Sequence, residues 1–242
     1  VQANTNLPAD VFEKLKLAFE NESNIDAKQA LYLILKNAKM SFDKKMPLCQ
    51  DTGQVLVFLK GKTVDCLTIN AINNGVEKAY KENYYRKSVV KNALIDRTNT
   101  KTNTPCIIYT EPSDSDDLEI NLLLKGAGCE NVSTTDLLSP TASQDEIIQH
   151  ITSQIQKAGS RGCPPYFLGI GIGGTMEYAG LLSKKALILE ENIDEQHEKF
   201  AEKLKQSINS LKIGVAGLGG DSTVVDIKIL TDYTHIANMP CA

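Results

Sequence analysis

Residues 167–175 read Phe-Leu-Gly-Ile-Gly-Ile-Gly-Gly-Thr, and a helical pattern follows them. The apolar run Phe167–Ile172 predicts an extended strand, and the apolar spacing over Thr175–Leu187 predicts a helix. A strand that leads through glycines into a helix is typical of a sheet covered by helices. With the elements on either side, it indicates a mixed α+β fold, in which a helical N-terminal part precedes a mixed sheet with flanking helices.

The neighbouring elements follow from the same patterns. Helical spacing of apolar residues predicts helices over Leu7–Phe19, Ala27–Leu35, Ile69–Tyr84, Gln144–Lys157 and Glu195–Leu211. Two extended runs, Val55–Leu59 and Thr63–Cys66, are expected to form a hairpin around Gly61. Four more strands are predicted at Cys106–Tyr109, Leu118–Leu124, Ile213–Val215 and Thr223–Ile229. With no repeat or linker between them, a single domain over residues 1–242 is expected.

Composition excludes several classes of protein. Of 242 residues, 42% are hydrophobic and 23% charged, as in ordinary globular proteins. The net charge of -4 gives no basic surface for nucleic acid. No apolar run reaches the ~20 residues that span a membrane, and the N-terminus lacks a secretory pattern. We therefore expect a cytoplasmic protein with neither a nucleic-acid nor a membrane partner.

The six cysteines are scattered, without the short paired spacing of zinc sites. Most are expected to be buried, inert thiols. Residues 47–53, Pro-Leu-Cys-Gln-Asp-Thr-Gly, are different, because an ordinary turn explains proline, aspartate, threonine and glycine but not Cys49 and Gln50 beside them.

A second unusual cysteine is Cys163, followed by Pro164 and Pro165. The two prolines hold the thiol in an extended, preset conformation. Cysteine followed by proline recurs among iron–sulfur ligands, although a buried thiol is an equally good interpretation of this motif alone.

The glycines offer an alternative function. Gly169, Gly171 and Gly174 match the dinucleotide fingerprint, with Glu190 and Asp194 near the distance of a ribose-binding acid. This pattern predicts a nicotinamide-dependent oxidoreductase. The preceding strand is cut short by the prolines, so the alternative ranks second.

Two more glycine-rich loops occur, at Gly214–Thr223 and Gly126–Asn131. Each alone would be a tight turn, but dense glycines also let backbone amides approach an anion or a cluster. Three such loops favour a shared ligand site.

Arg86 and the polar segment Arg97-Thr98-Asn99, with Asn103, could bind a carboxylate through a guanidinium fork. A solvated surface charge is the more common role of any single arginine. His235, without further context, would have a core or surface role.

Taken in order, these motifs resemble the class I fumarases over nearly the whole chain. The matching segments are 47–53, 85–88 (Tyr-Arg-Lys-Ser), 97–99 with 103–105, 126–131, 163–165 with 169–175, and 217–220 with 234–237. The chain is most similar to the alpha subunit of the two-subunit fumarases and L-tartrate dehydratases, or to the N-terminal domain of the fused enzymes.

The resemblance implies a 4Fe-4S cluster held by three cysteines, whose open iron acts as a Lewis acid. Cys49 and Cys163 match two ligands, and the third is expected beyond Ala242, so the chain is expected to be incomplete at both ends. Cys241 is not expected to be a ligand. Cys129 stands where the family commonly has serine.

The resemblance also implies that Gln50, Asp51, Arg86, Gly128 and His235 contact a small dicarboxylic acid, with Asp51 and His235 catalytic. The expected reaction is the reversible hydration of fumarate to malate, with L-tartrate dehydration as the alternative. A beta subunit should complete the site in a dimer of heterodimers, and the chain alone should be inactive. A non-catalytic cluster carrier is a third possibility.

Overall fold

A computed structural model describes residues 1–189 and 194–242, and its contacts divide the chain into two compact units. The first comprises Val1–Leu7 and Lys36–Ala127, and the second comprises Pro8–Leu35 and Gly128–Ala242. In the described residues no helix is long and apolar enough to cross a membrane.

Helices form the N-terminal part, as predicted. They are α1 (Gln2–Thr5), α2 (Ala9–Asn21) and α3 (Ile25–Lys44). Helix α3 contributes residues to both units, with Ala27 and Leu31 fully buried in the second and Ala38 buried in the first. The asparagine before α3, Asn24, accepts hydrogen bonds from the N–H groups of Asp26 and Ala27, which caps the helix.

The first unit contains a three-stranded sheet. Its elements are β1 (Gln54–Gly61), α4 (Cys66–Glu82), β2 (Ile107–Pro112) and β3 (Glu119–Lys125). The strand order is β2-β1-β3, with β1 parallel to β2 and antiparallel to β3. Five consecutive residues of β1, at positions 55–59, are buried, as expected for a central strand covered on both faces.

The predicted hairpin between Val55–Leu59 and Thr63–Cys66 is wrong. Asp65 caps α4 instead, because its side chain accepts a 2.8 Å hydrogen bond from the Thr68 N–H. This aspartate turns the chain into a helix at the point where the second strand was expected.

The second unit contains a four-stranded sheet. The short helix α5 (Ala127–Glu130) begins at the last residue of the first unit and continues into the second. The other elements of the second unit are β4 (Asp136–Leu138), α6 (Gln144–Ala158), β5 (Tyr166–Gly174), α7 (Met176–Ala186), α8 (Glu195–Asn209), β6 (Val224–Thr234) and β7 (Met239–Cys241). The strand order is β4-β7-β5-β6, and β5 runs parallel to β6. Buried residues of α6, α8, β5 and β6, among them Leu204, Ile208 and Ile229, form the core of this unit.

The mixed α+β class is confirmed, and the six predicted helices agree with α2, α3, α4, α6, α7 and α8. The strand predicted at Ile213–Val215 is wrong. Gly214 has a φ of +69°, and a 3-10 helix over Val215–Gly217 follows it. A Cβ at position 214 would lie 1.6 Å from the Gly219 carbonyl oxygen, so this segment is a closed turn that requires glycine.

Candidate active site

The segment Cys49–Gly53, in the first unit, is anchored through its threonine. Thr52 is buried; its hydroxyl donates to the Arg86 carbonyl oxygen at 2.8 Å, and its own carbonyl accepts from the Tyr80 hydroxyl at 2.9 Å. Cys49 and Gln50 precede it and are exposed. The chain therefore fixes the backbone at Thr52 while presenting a thiol and an amide to solvent.

Asp51 is held by two backbone donors. Its Oδ1 accepts from the Gly53 N–H at 3.0 Å and its Oδ2 from the Ala127 N–H at 2.7 Å. A Cβ on Gly126 would lie 3.2 Å from Oδ2, so this glycine leaves room for the carboxylate. The glycine-rich loop at Gly126–Asn131 thus begins by binding a carboxylate of the chain itself.

Arg86 is exposed, and its backbone adjoins the cysteine segment through the bond from Thr52. The structure therefore brings together two of the sequence motifs that predict substrate contacts, those around Asp51 and Arg86. Arg97 plays a local role, because its guanidinium donates to the Ala93 carbonyl in the same loop.

Asn103 connects these two motifs, a role that sequence reasoning missed. Its side chain is fully buried, accepts from the Ser88 and Val89 N–H groups and donates to the Gly53 carbonyl. Its φ of +61° is a conformation in which asparagine is enriched, but no sequence signal reveals its long-range partners.

Cys163, in the second unit, is exposed, and its φ of +59° is left-handed, so the extended conformation expected before two prolines is wrong. Its N–H donates to the Ser160 carbonyl at 3.1 Å, and the next carbonyl, of Pro164, accepts from the Ala216 N–H at 2.7 Å. The thiol therefore lies on a turn fixed on both sides, and the interpretation of Cys163 as a buried thiol is wrong.

Tyr166 also stabilises the turn that carries Cys163. Its hydroxyl donates to the Gly159 carbonyl at 2.7 Å and accepts from the Gly162 N–H at 3.2 Å. Burial raises the pKa of this phenol, so it stays protonated and able to donate. The Cys129 thiol donates to the Gly162 carbonyl at 3.2 Å, which places it beside the turn; Gly128 precedes it in α5, half-buried.

The glycines of the dinucleotide pattern have a packing role. Gly169 and Gly171 lie inside β5, where a Cβ would lie 2.0 Å from the Ser183 carbonyl and 2.1 Å from the Ala179 carbonyl of α7. They bring the helix against the strand instead of forming a phosphate-binding turn between the two.

The acids predicted for that alternative give it no support. Glu190 lies outside the described residues. Asp194 caps α8, because its carboxylate accepts from the Gln196 and His197 N–H groups at 2.9 Å. The glycines and the described acid on which the nicotinamide alternative depends therefore have packing and capping roles instead.

The loop Gly214–Thr223 also binds a carboxylate of the chain. Glu22 is buried, and its carboxylate accepts from the N–H groups of Asp221 and Ser222 at 2.9–3.1 Å. The expectation of a ligand shared by three glycine loops is not needed to explain these amides, since an internal anion satisfies them. Glu22 was not singled out from the sequence.

His235 lies in the exposed turn between β6 and β7. Its Nδ1 accepts from the Ala237 N–H at 3.1 Å. In the neutral ring the proton therefore belongs to Nε2, which makes Nε2 a hydrogen-bond donor.

The remaining cysteines divide by burial. Burial raises the pKa of the Cys106 and Cys241 thiols to about 11, so both remain protonated core groups. Cys241 belongs to the core of the second unit. Cys66 is exposed and begins α4.

Within residues 1–189 and 194–242, no group of three or more His, Cys, Asp or Glu side chains is close enough to hold a metal ion.

Comparison with known proteins gives a consistent result. A family model described as fumarate hydratase (Fumerase) matches residues 1–242. A putative L(+)-tartrate dehydratase subunit alpha from Methanocaldococcus jannaschii is 39% identical over 246 residues, covering 97% of this chain and 86% of that protein. The L(+)-tartrate dehydratase subunit alpha of Escherichia coli K12 is 29% identical over 241 residues, covering 96% of this chain and 79% of that protein.

Proposed function

Because the chain belongs to the fumarate hydratase (Fumerase) family and is thereby a hydro-lyase, we propose that it is the alpha subunit of an iron–sulfur enzyme that hydrates or dehydrates a small dicarboxylic acid. The observation that carries the proposal is the match over all 242 residues, joined to the exposure of Cys49 and Cys163 in fixed turns. The mixed sheet, the packing role of Gly169 and Gly171 and the family match together displace the oxidoreductase alternative.

Cys49 and Cys163 are the proposed ligands of a 4Fe-4S cluster. The donor chemistry fits, because clusters of this kind are held by thiolates, and these two thiols are exposed while those of Cys106 and Cys241 are buried. When bound, such a cluster supplies a Lewis acid for a substrate oxygen.

The first unit supplies groups for substrate carboxylates. Arg86 presents an exposed guanidinium, whose fork matches a carboxylate bidentately, and Gln50 presents an amide that can donate or accept. Asp51 keeps a lone pair on each oxygen beyond its bonds to the Gly53 and Ala127 N–H groups. It is the proposed proton carrier, held in one orientation by those two donors.

The second unit supplies His235 and Gly128. The Nε2–H of His235 is the proposed donor to a substrate carboxylate, on which negative charge builds as water adds to the alkene carbon β to it. Gly128 is the proposed contact at the start of the second unit, where the absence of a side chain leaves space for substrate.

A beta subunit is the proposed partner, because two relatives are named as alpha subunits. We propose that it completes the substrate site, that the chain alone is inactive, and that the complex is a cytoplasmic dimer of heterodimers, since oligomers are usually symmetric.

Two substrates compete within this proposal. The family description favours fumarate and the names of the relatives favour L-tartrate. The two acids differ in hydroxyl groups, and a site built to bond a hydroxyl rejects an analogue without it by about 10⁴-fold or more.

The test is turnover of the full-length protein purified anaerobically with its partner subunit. Loss of fumarate absorbance and release of oxaloacetate from L-tartrate are followed in parallel, along with mesaconate as a third substrate. The proposal predicts hydro-lyase turnover of one of the acids that requires the partner. Activity of the isolated chain would contradict the subunit assignment, and no turnover of any of them by the complex would contradict the substrate class.

A further inference from the structure

Asn103 is a fully buried asparagine with a left-handed backbone conformation. The side chain has no solvent exposure, and the backbone has a φ of +61°. Burying an amide costs free energy unless its donor and acceptor are both bonded. The hydrogen bonds of this side chain must therefore offset the free-energy cost of burying it.

Those bonds join two segments that are distant in sequence. Oδ1 accepts from the Ser88 N–H at 2.8 Å and from the Val89 N–H at 3.3 Å. Nδ2 donates to the Gly53 carbonyl at 3.0 Å. One side chain thus binds the backbone next to Arg86 on its acceptor side and the backbone next to Asp51 on its donor side.

A second contact links the same two segments. The Thr52 hydroxyl donates to the Arg86 carbonyl at 2.8 Å. Asn103 and Thr52 are both buried, so water cannot replace either bond without opening the structure. The relative position of the two backbones is therefore set by two buried side chains, of which Asn103 is the one that bonds to both.

We propose that Asn103 is a positioning residue that fixes the Arg86 segment against the Cys49–Gly53 segment. The inference rests on the function proposed above, because it treats Arg86 as a carboxylate-binding group and Cys49 as a cluster ligand. Asn103 does not touch substrate; it acts through the Gly53 carbonyl and the amides of Ser88 and Val89.

Two substitutions separate the donor side from the acceptor side. Asn103→Asp keeps oxygens for the Ser88 and Val89 N–H groups, but it loses the donor to Gly53. Asn103→Gly removes the whole side chain while tolerating the positive φ, so that backbone strain does not confuse the result. Asn73→Ala is the matched control, because Asn73 accepts from the Cys106 N–H at 2.9 Å in the same unit and contacts neither segment.

Amide hydrogen exchange of the full-length protein with its partner gives a readout that does not depend on the cluster. Asn103→Asp should raise exchange of the Gly53 N–H, which bonds to Asp51 at 3.0 Å, by about tenfold, the factor that one ordinary hydrogen bond supplies, and leave residues 88–89 protected. Asn103→Gly should raise exchange in both segments. Asn73→Ala should raise neither, even at an equal loss of thermal stability.

Kinetics of the same samples test the link to the reaction. Loss of groups that orient metal ligands typically costs about 10- to 100-fold in affinity or activity, so both Asn103 variants should lose kcat/KM in that range. Asn103→Gly should raise KM more than Asn103→Asp does, because only the glycine variant frees the Arg86 segment.

Each outcome is decisive. Unchanged exchange in both segments, or kcat/KM equal to that of Asn73→Ala, would overturn the role of Asn103. A wild-type complex without hydro-lyase turnover would contradict the proposed function, and the exchange pattern would still decide whether Asn103 couples the two segments.

Discussion

Arg86 tests the carboxylate-binding role most directly at the scale of one residue. Arg86→Lys keeps the charge but loses the planar fork, so kcat/KM should fall at least about tenfold, the loss of one charge-assisted hydrogen bond of about 1.5 kcal/mol. Steady-state kinetics of the complex measure it. Arg97→Lys is the control, because Arg97 bonds within its own loop. Equal kcat/KM values of Arg86→Lys and Arg97→Lys would contradict the role of Arg86 in binding substrate.

Glu22 provides a stability prediction for the second unit. Its buried carboxylate accepts from the N–H groups of Asn24, Asp221 and Ser222. Glu22→Ala leaves these donors without a buried acceptor, which should lower the free energy of unfolding by about 3 kcal/mol. Urea unfolding followed by circular dichroism measures this difference.

The control for Glu22 is Glu20→Ala, at an exposed position of α2, which should stay within about 0.5 kcal/mol of the parent. If Glu22→Ala lowered the free energy of unfolding no more than Glu20→Ala does, the loop Gly214–Thr223 would not depend on the Glu22 carboxylate. Its N–H groups would then be open to an external anion.

The ion pair of Asp221 should make the free energy of unfolding depend on pH in acid. The Lys212 ammonium, and then Ser23, lower the pKa of its carboxyl from 3.8 to about 2. The folded state therefore binds this proton less tightly than the unfolded state does. The stabilisation is complete above pH 3.8 and is lost as pH falls towards 2.

The change belongs to a partly exposed pair, so it should stay below about 1 kcal/mol after solvent screening. Asp221→Asn should reduce the difference between the urea midpoints at pH 5 and pH 2.5, and Asp114→Asn, in an exposed loop, should not. An unchanged pH dependence in Asp221→Asn would show that the ion pair contributes nothing in solution.

At the scale of elements, the packing of α7 on β5 depends on two glycines of the strand. A Cβ on Gly171 would lie 2.1 Å from the Ala179 carbonyl, so the helix would have to move. Gly171→Ala should cost about 3 kcal/mol or more, at the upper end of overpacking effects. Denaturant unfolding of the purified chain measures it.

Gly75 gives the opposite result for the same substitution. It is exposed in the interior of α4, and a Cβ there meets nothing within 4 Å. Gly75→Ala should stabilise by about 0.5–1 kcal/mol, because alanine loses less backbone entropy in a helix. Nicotinamide binding by the parent protein that is lost in a stably folded Gly171→Ala variant would instead restore the dinucleotide alternative.

The elements were predictable where periodicity is strong and not where one residue redirects the chain. Helix α6 was predicted from Gln144, and the structure shows why: Ser143 and Glu146 form a reciprocal capping box. The strands predicted at Thr63–Cys66 and Ile213–Val215 failed, since Asp65 begins a helix and Gly214 closes a turn. In short apolar runs, capping and positive φ override strand propensity.

The candidate site residues were proposed for a different reason. Cys49 and Gln50 stood out because an ordinary turn does not need them, and Cys163 stood out because two prolines follow it; the structure exposes all three. The bonds of Asn103 to Gly53 and of Glu22 to Asp221 could not be predicted, because these pairs lie 50 and 199 positions apart in the chain and no local pattern encodes such pairing.

For the whole molecule, the two compact units carry different parts of the proposed chemistry. The first contains Cys49, Asp51 and Arg86, and the second contains Cys163 and His235. Within each unit, hydrogen bonds fix the segments that carry these groups, such as those of Asp51 with Ala127 and of Pro164 with Ala216. The account therefore predicts that loss of either cysteine removes the same cofactor, although each unit keeps its fold.

Iron and acid-labile sulfide content of the full-length protein, reconstituted without oxygen, tests this claim most directly. The parent and Cys66→Ser, which alters an exposed thiol outside the proposed ligand set, should contain about four of each per chain, the composition of a 4Fe-4S cluster, whereas Cys49→Ser and Cys163→Ser should lose most of both. A parent without iron, or a Cys49→Ser variant with the content of the parent, would contradict the account.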